Sequence, residues 1–548
     1  MRGLYIFELL RRESAGAQAD IIVAVTISGM ANAGILAIIN AAAQTPATEP
    51  IHLRLLVLFL ITILLYIVAL RFTFARLGRI FERMVDQIRI RLSSKIASSE
   101  LPALEHIGRS RIYARLTHDT TVLSESKVLL TAALQSSVMV LFTVIYVAIL
   151  SPAAFLSTVV MVAGGIQIYF RKNRVLFSSL ERTNEKENEL FGLTTHLLEG
   201  FKELKMSRAR GEDLLTDIRR TSGELRELKI QTNDIQNSKF IFSQSAFFVL
   251  MAVMVFVLPR LIESFGRQST ELVAAVLFLM GPLSTVVRGI PQVTKADLAA
   301  SSIARLESEL DAPSRAPAAP AAPAPPLPFE RAIELHGAVY SYPAADNGNF
   351  TVGPLQLRFE KGRVTFITGG NGSGKSSLLK LLTRLYEPHS GGVTLDGTPI
   401  SAENVQEYRE LFSPIFSDFH LFRKLYGMQN VDPGRVEELL SEMHLSDKTG
   451  FSAGTFTHID LSTGQRKRLA MIVAELENRP ILVFDEWAAD QDPEFREHFY
   501  TKLIPSFRDQ GKTVIAVTHD DRYYAYADRR VKLDLGKIVM DTQETRRA

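Results

Sequence analysis

Six long apolar runs in the first 300 residues leave few architectures open. They fall at about 18–43, 52–72, 128–150, 153–171, 239–262 and 271–293. About 20 residues rising 1.5 Å each cross the hydrocarbon core of a bilayer, and a helix satisfies every backbone polar group within the segment. The alternative is buried helices in a large soluble protein, which six runs of this length disfavour. A mean hydropathy of +0.10 points the same way. Ahead of the first run, "RGLYIFELLRRES" alternates apolar and basic groups. It reads as an elbow helix on the membrane surface and lacks the cleavage site of a signal peptide.

Charge placement orients the runs. Arg76, Arg79, Arg83, Arg89, Arg91, Lys95, Arg109, Arg111 and Arg115 lie between spans two and three, and Arg171, Lys172 and Arg174 open the stretch between spans four and five. The opposite connections, "QTPATEP", "SP" and "ESFGRQST", hold one arginine in total. The positive-inside rule therefore predicts cytoplasmic termini and cytoplasmic long loops. The loops keep helical periodicity and are expected to continue the membrane helices outward. With 62 basic against 59 acidic residues, the composition argues against nucleic acid as a partner. The absence of cysteine excludes disulfides, thiolate metal sites and thiol catalysis.

Residues 311–328, "DAPSRAPAAPAAPAPPLP", form a Pro/Ala-rich stretch with no core-forming pattern, predicted to be a semi-extended linker. Strand-like and helix-like runs then alternate to about residue 540. The expected organisation is an all-α six-helix transmembrane domain over 1–310, the linker over 311–328, and an α/β P-loop NTPase domain over 329–548.

The second half carries the chemistry. "VTFITGGNGSGKSSLLKLL" is a strand, a glycine-rich turn and a helix start, with Gly369, Gly374, Lys375 and Ser376 in the G-x-x-x-x-G-K-[ST] spacing. Such a loop turns successive N–H groups toward phosphate, so Gly369, Asn371, Gly372, Ser373, Gly374, Lys375, Ser376 and Ser377 are expected to cradle ATP. Lys375 would reach the β- and γ-phosphates, and Ser376 would ligate Mg²⁺. A second apolar strand, "ILVFDE", ends in two acids. Asp485 is expected to hold Mg²⁺ and Glu486 to polarise the attacking water. A third, "VIAVTHDD", ends at His519, placed to contact the γ-phosphate. Alone, "DE" is an ordinary strand end and a single histidine an ordinary structural one; the upstream loop makes the functional reading the better one.

With "LSTGQRKRLAMIVAEL" between the acidic landmarks, the whole chain resembles an ATP-binding cassette (ABC) half-transporter of the exporter type. The run from "LSTGQRKR" through "RPILVFDEWAADQDPEFR" is more similar still to the bacterial cyclic-peptide and peptide-siderophore exporter family. The resemblance implies that Ser462, Thr463, Gly464 and Gln465 form the signature motif that contacts ATP held by another subunit. It implies adenine stacking on Tyr342, with a core-strand tyrosine as the alternative, and a role for Asp492 in the loop that crosses the dimer. Two departures stand out. Thr463 replaces a glycine, and Ser417 in "SPIFSDFHLF" occupies the place of a glutamine that ligates Mg²⁺, with Asp418 as a substitute candidate. Trp487 replaces a small residue beside the second acid, and packing is its expected role.

One phosphate loop and one signature motif per chain imply a homodimer with two shared sites. The implied activity is ATP-driven export of a cyclic or modified peptide across the bacterial inner membrane. A lipid or multidrug flippase is the alternative, followed by an ATP-gated membrane regulator. Segments around "EHIGRSRIYARL" and "EGFKELKMSRARGED" are expected to couple the halves. Among polar residues within the spans, Asn32, Gln135, Gln244 and Arg288, with Asn40, Ser136 and Gln167, are substrate-contact candidates or helix-to-helix glue.

Overall fold

The computed structural model describes residues 5–13, 18–44, 53–171, 173–261, 269–311, 327–342, 350–428 and 430–543. Most of the Pro/Ala-rich stretch, 312–326, lies outside the described residues. The chain divides into two compact units, Met1–Ser98 with Ile107–Asp311, and Ser99–His106 with Ala312–Ala548.

The first unit is helical. A short α1 (Tyr5–Glu13) is followed by α2 (Gln18–Ala43) and the 46-residue α3 (Leu53–Ser98). After α4 (Leu101–Ile107) and α5 (Arg109–Ala114), a π-turn at Arg115–Asp119 leads into α6 (Thr120–Leu150). Then come α7 (Pro152–Arg171), α8 (Asn173–Glu199), α9 (Phe201–Met206) and α10 (Arg208–Ala252). A second π-turn, Val253–Val257, precedes α11 (Leu258–Leu261) and α12 (Ser269–Asp311). Among the described residues, five helical stretches are long and apolar enough to cross a membrane. The predicted fourth span corresponds to α7, whose described apolar stretch Pro152–Gly164 is shorter. Leu56, Leu60, Ile61 and Leu64 of α3 are exposed, as lipid-facing side chains are. The stretch expected as an elbow is helical, α1: Ile6 is buried, and its N–H donates to Asp297 Oδ1 at 3.1 Å.

Small residues let these helices approach closely. A Cβ on Gly289 of α12 would stand 2.5 Å from the Ala133 Cβ of α6. Polar candidates from the sequence mostly join helices. Gln135 donates to Ser28 Oγ at 2.7 Å, Gln244 donates to Ser284 Oγ at 3.3 Å, and the Arg288 guanidinium lies 4.5 Å from the centre of the Phe240 ring. Asn32 differs: its Nδ2 is buried without a partner.

The second unit holds two larger sheets. One is four-stranded and antiparallel, in the order β2 (Thr351–Glu360), β1 (Ala332–Ser341), β4 (Ser390–Leu395), β5 (Thr398–Pro399). The other is six-stranded and carries the chemistry. Its order is β12 (Lys537–Gln543), β11 (Arg529–Asp534), β3 (Val364–Gly369), β10 (Thr513–Val517), β9 (Ile481–Asp485), β6 (Phe412–Ile415). All pairings but that of the edge strand β12 are parallel. Parallel strands covered on both faces read as continuous apolar runs, and β9 and β10 are buried at every position. Helices α13 (Lys375–Leu382), α14 (Val405–Arg409), α15 (Pro433–Glu442), α16 (Thr463–Glu477), α17 (Pro493–His498) and α18 (Ile504–Asp509) and the small hairpin β7 (Phe451–Ser452)–β8 (Thr455–Phe456) complete the unit.

One segment groups differently from the linear division at 310. Ser99–His106, between α3 and the rest of the helical unit in sequence, belongs with the second unit. Leu101 packs on its core. Arg409 makes a two-pronged pair with Glu100, with bonds of 2.6 and 3.3 Å. Glu105 accepts from the Tyr386 hydroxyl at 2.8 Å and from Lys380 at 3.1 Å.

Candidate functional site: a nucleotide-phosphate cradle

The cradle lies at the carboxyl ends of three adjacent parallel strands. Val517 of β10 pairs with Asp485 of β9 on one side and with Ile367 of β3 on the other. The residues that leave these strands therefore converge. β3 runs into Gly369, whose φ of 146° and whose missing Cβ are both required: a methyl there would stand 2.3 Å from the Leu533 carbonyl oxygen. Gly372 and Gly374 also have positive φ, at 75° and 98°. The turn ends as α13 begins at Lys375, so the positive end of that helix faces the same space. Asn371 and Gly372 are exposed, and the Ser373 hydroxyl is buried without a partner. The Lys375 ammonium is buried and donates to the Gly369 and Gly370 carbonyls at 3.1 and 2.9 Å.

Glu486 follows β9 with φ 52° and ψ 39°, a left-handed conformation that costs a non-glycine residue energy and aims its side chain away from the strand. Its Oε1 lies 3.1 Å from His519 Nε2 and 3.7 Å from Lys375 Nζ. The three residues, drawn from α13, the end of β9 and the end of β10, thus meet at one carboxylate. Asp485 sits one step deeper, 2% exposed. Burial raises its carboxyl above the ordinary aspartate range, opposed by the neighbouring Ser376 and Ser417 hydroxyls. Neither Asp485 oxygen forms a well-aligned hydrogen bond to them, so the influence of the two serines is one of proximity. Ser417, at the position of the missing glutamine, is thereby placed beside Asp485.

The signature segment starts α16. Ser462 caps the helix: its hydroxyl accepts from the Gln465 N–H, and the Gln465 side chain accepts from the Ser462 N–H at 3.2 Å. Thr463, the departure from glycine, is exposed in the first turn, where backbone N–H groups have no helical partner. Gly464 is closely covered, since a Cβ would meet the Asp490 carbonyl oxygen at 2.6 Å. Asp492 caps α17 by accepting from the Phe495 N–H at 2.8 Å and also pairs with Arg468. Those bonds hold its carboxyl below the usual range, the Phe495 bond first. Tyr342 turns its hydroxyl onto Ser377, sharing a 2.7 Å hydrogen bond, and packs edge-on against Tyr340 and Tyr386.

Sequence reasoning did not anticipate Lys467. Buried in α16, it donates to the Glu486 carbonyl at 2.7 Å and pairs with Asp490 at 2.6 Å, holding the chain that carries the strained glutamate. A lysine within "GQRKRLAMI" carries no mark that separates it from a solvated one.

Residues 352–489 match the family model described as ABC transporter. Across the chain, "ATP-binding protein SyrD" of Pseudomonas syringae pv. syringae is 31% identical over 486 residues, covering 84% of this chain and 83% of that protein. The chain belongs to the ABC transporter family. An "ATP-dependent lipid A-core flippase" of Xanthomonas campestris pv. campestris is 30% identical over 284 residues, covering 48% of this transporter and 46% of the flippase. A solved bacterial Atm1-family ABC exporter with ATP bound shares the fold at a TM-score of 0.78 and 16% identity, over 97% of this chain and 95% of that one. The transporter is thus a multi-pass membrane protein of exporter fold that binds and hydrolyses ATP.

Proposed function

We propose that the transporter works as a homodimer in the bacterial inner membrane, with its ATPase units and termini cytoplasmic, and exports a cyclic or modified peptide. The observation that carries the ATP chemistry is the meeting of Lys375, Glu486 and His519 at one carboxylate. Glu486 orients and polarises the attacking water, and His519 holds that carboxylate and senses the γ-phosphate. Lys375 and the N–H groups of the loop take the phosphate charge. Mg²⁺ fits the corner formed by Ser376, Asp485 and Ser417: two buried carboxylate oxygens without aligned donors suit a cation beside two hydroxyls. Bound there, it would neutralise charge on the β- and γ-phosphates. Asp492, occupied by Arg468 and the α17 cap, acts by positioning the loop.

Each chain supplies one phosphate loop and one signature helix, so an ATP that needs both must be shared between copies. Two inactive variants, Lys375→Ala and Ser462→Arg, are expected to recover ATPase activity when co-assembled, because the mixed dimer contains one intact composite site. No recovery in verified mixed dimers would remove the shared-site reading. Ser99–His106 follows α3 in the chain and is anchored in the ATPase unit by Glu100 and Glu105.

Similarity to the peptide-exporter subgroup in "IFSDFHLF" and "DEWAADQD" supports the cargo. The match to lipid A-core flippases over about half of the chain favours a second reading, a lipid flippase. In nanodiscs, cyclic lipopeptides should raise ATP turnover and lipid A should not; stimulation by lipid A alone would replace the peptide reading with the second.

A further inference from the structure

The chain passes between its two units at 98–99, 106–107 and 311–312. Within the helical unit, ion pairs stand beside all of these crossings. Lys95, just before the first, pairs at 2.5 Å with Asp311, at the third. Arg91, one turn back on α3, pairs at 2.7 Å with Glu307, one turn back on α12. Arg111 of α5, just after the second crossing, pairs with Glu309 at 2.8 Å. The end of α12 is thereby tied to α3 through Glu307 and Asp311, and to α5 through Glu309.

These charges stand against the preference of their own helices. α12 ends with Glu307, Glu309 and Asp311 and has no base in its last turn, although the negative end of a helix disfavours acids. Glu307 and Asp311 are four positions apart, as are Arg91 and Lys95, and like charges at that spacing repel along a helix. Each row is unfavourable alone and is neutralised by the other. Apolar contact also holds this region: Ile303, Leu306 and Leu310 of α12 and Ile88 and Leu92 of α3 are buried. Burial of that kind is non-directional, so the charge rows add the register, 91 to 95 against 307 to 311. A single exposed ion pair contributes little. The side chains of Arg91 and Glu307 are 19% and 15% exposed, which makes theirs the most shielded of these pairs. Lys95–Asp311 and Arg111–Glu309 are more open to solvent and to salt.

We infer that these pairs form an ionic node that fixes α3, α5 and α12 against one another where the chain crosses between the units, so that movement of the ATPase unit reaches the three helices together, and less completely as salt screens the node; this rests on the ATP-driven homodimer proposed above. The node is a conformational device separate from the phosphate cradle, and none of its residues touches nucleotide in that reading.

The chain has no cysteine, so one introduced cysteine per chain gives one spin-label pair in a homodimer. Glu437→Cys, exposed on α15, reports the ATPase unit, and Ile149→Cys, exposed at the end of α6 away from the long loops, reports the helical unit. Label-to-label distances are measured on the full-length transporter in nanodiscs, before and after trapping with ATP, Mg²⁺ and vanadate. With the node intact, both distances should shift. Arg91→Glu and Glu307→Arg should each remove most of the shift at residue 149 while leaving that at residue 437. The double reversal, Arg91→Glu with Glu307→Arg, should restore it, which excludes misfolding as the cause. Raising KCl from about 0.1 M to about 1 M, where the screening length falls from about 10 Å to about 3 Å, should reduce the shift at 149 and not that at 437. If 437 shifts but 149 does not in the intact node, if 149 still follows 437 in both single variants, if the double reversal fails to restore it, or if salt leaves it unchanged, the node is overturned and the ATP-driven homodimer stands. Absence of any label pair, or of a shift at 437 with the node intact, overturns the homodimer reading and the node with it.

Discussion

Glu486→Gln is expected to lower ATP turnover by about 10²–10⁴-fold, the usual contribution of a positioned general base. The substitution keeps shape and the left-handed backbone at residue 486, and removes only the charge proposed to draw on the attacking water. Nucleotide binding should persist, because the phosphate loop, Lys375 and the start of α13 are untouched. The glutamine amide still reaches His519, whose Nε2 lies 3.1 Å from the carboxylate in the wild type. ATPase assays, nucleotide-binding titrations and transport into inverted vesicles measure the three consequences separately. A pump should stop moving cargo in this variant. Transport that continues at the wild-type rate would show that ATP binding alone gates a passage, and the export mechanism would have to be abandoned.

Trp487→Ala is expected to destabilise the ATPase unit by about 3–5 kcal/mol, the range for removing a large buried aromatic. In a unit of this size that corresponds to a fall on the order of 10 °C in the midpoint of thermal inactivation. The indole is 1% exposed, stacks on Phe499 with ring centres 4.5 Å apart, and donates from Nε1 to the Lys467 carbonyl at 2.9 Å. Lys467 in turn holds the Glu486 carbonyl. The loss should therefore appear in activity below the unfolding temperature as well as in stability. Trp487→Phe should fall between, keeping ring contact with Phe499 but leaving the Lys467 carbonyl without its donor. If Trp487→Ala inactivates at the wild-type temperature, the packing role is wrong and the ring acts in some other way.

Much of the ATPase chemistry is local in the chain and was legible for that reason. Gly369 to Ser376 is one contiguous loop, and its glycines are demanded by backbone geometry that any strand–loop–helix of this kind must adopt. The apolar runs that became β9 and β10, alternating with helix-like runs, announced an α/β domain, and their terminal Asp485-Glu486 and His519 followed from where those strands stop. Apolar length similarly marked the membrane helices, though the described apolar part of α7 is shorter than the expected fourth span. Other features were illegible because their partners are far apart along the chain. Gln135 read as a cargo contact or as glue, and the choice waited on Ser28, 107 positions away, which accepts its bond. Lys467 carried no mark separating it from a solvated base and is buried beneath the turn that carries Glu486.

By itself, then, the amino-acid sequence determined the apolar spans, the phosphate loop and the identity of the acids and the histidine. Each follows from length, hydropathy or backbone geometry within a few consecutive residues. Only tertiary structure decided that Ser417 sits beside Asp485 and that Ser99–His106 belongs with the ATPase unit. Those outcomes depend on register and packing between distant segments, where small differences among many contacts choose the arrangement and no single residue type signals it.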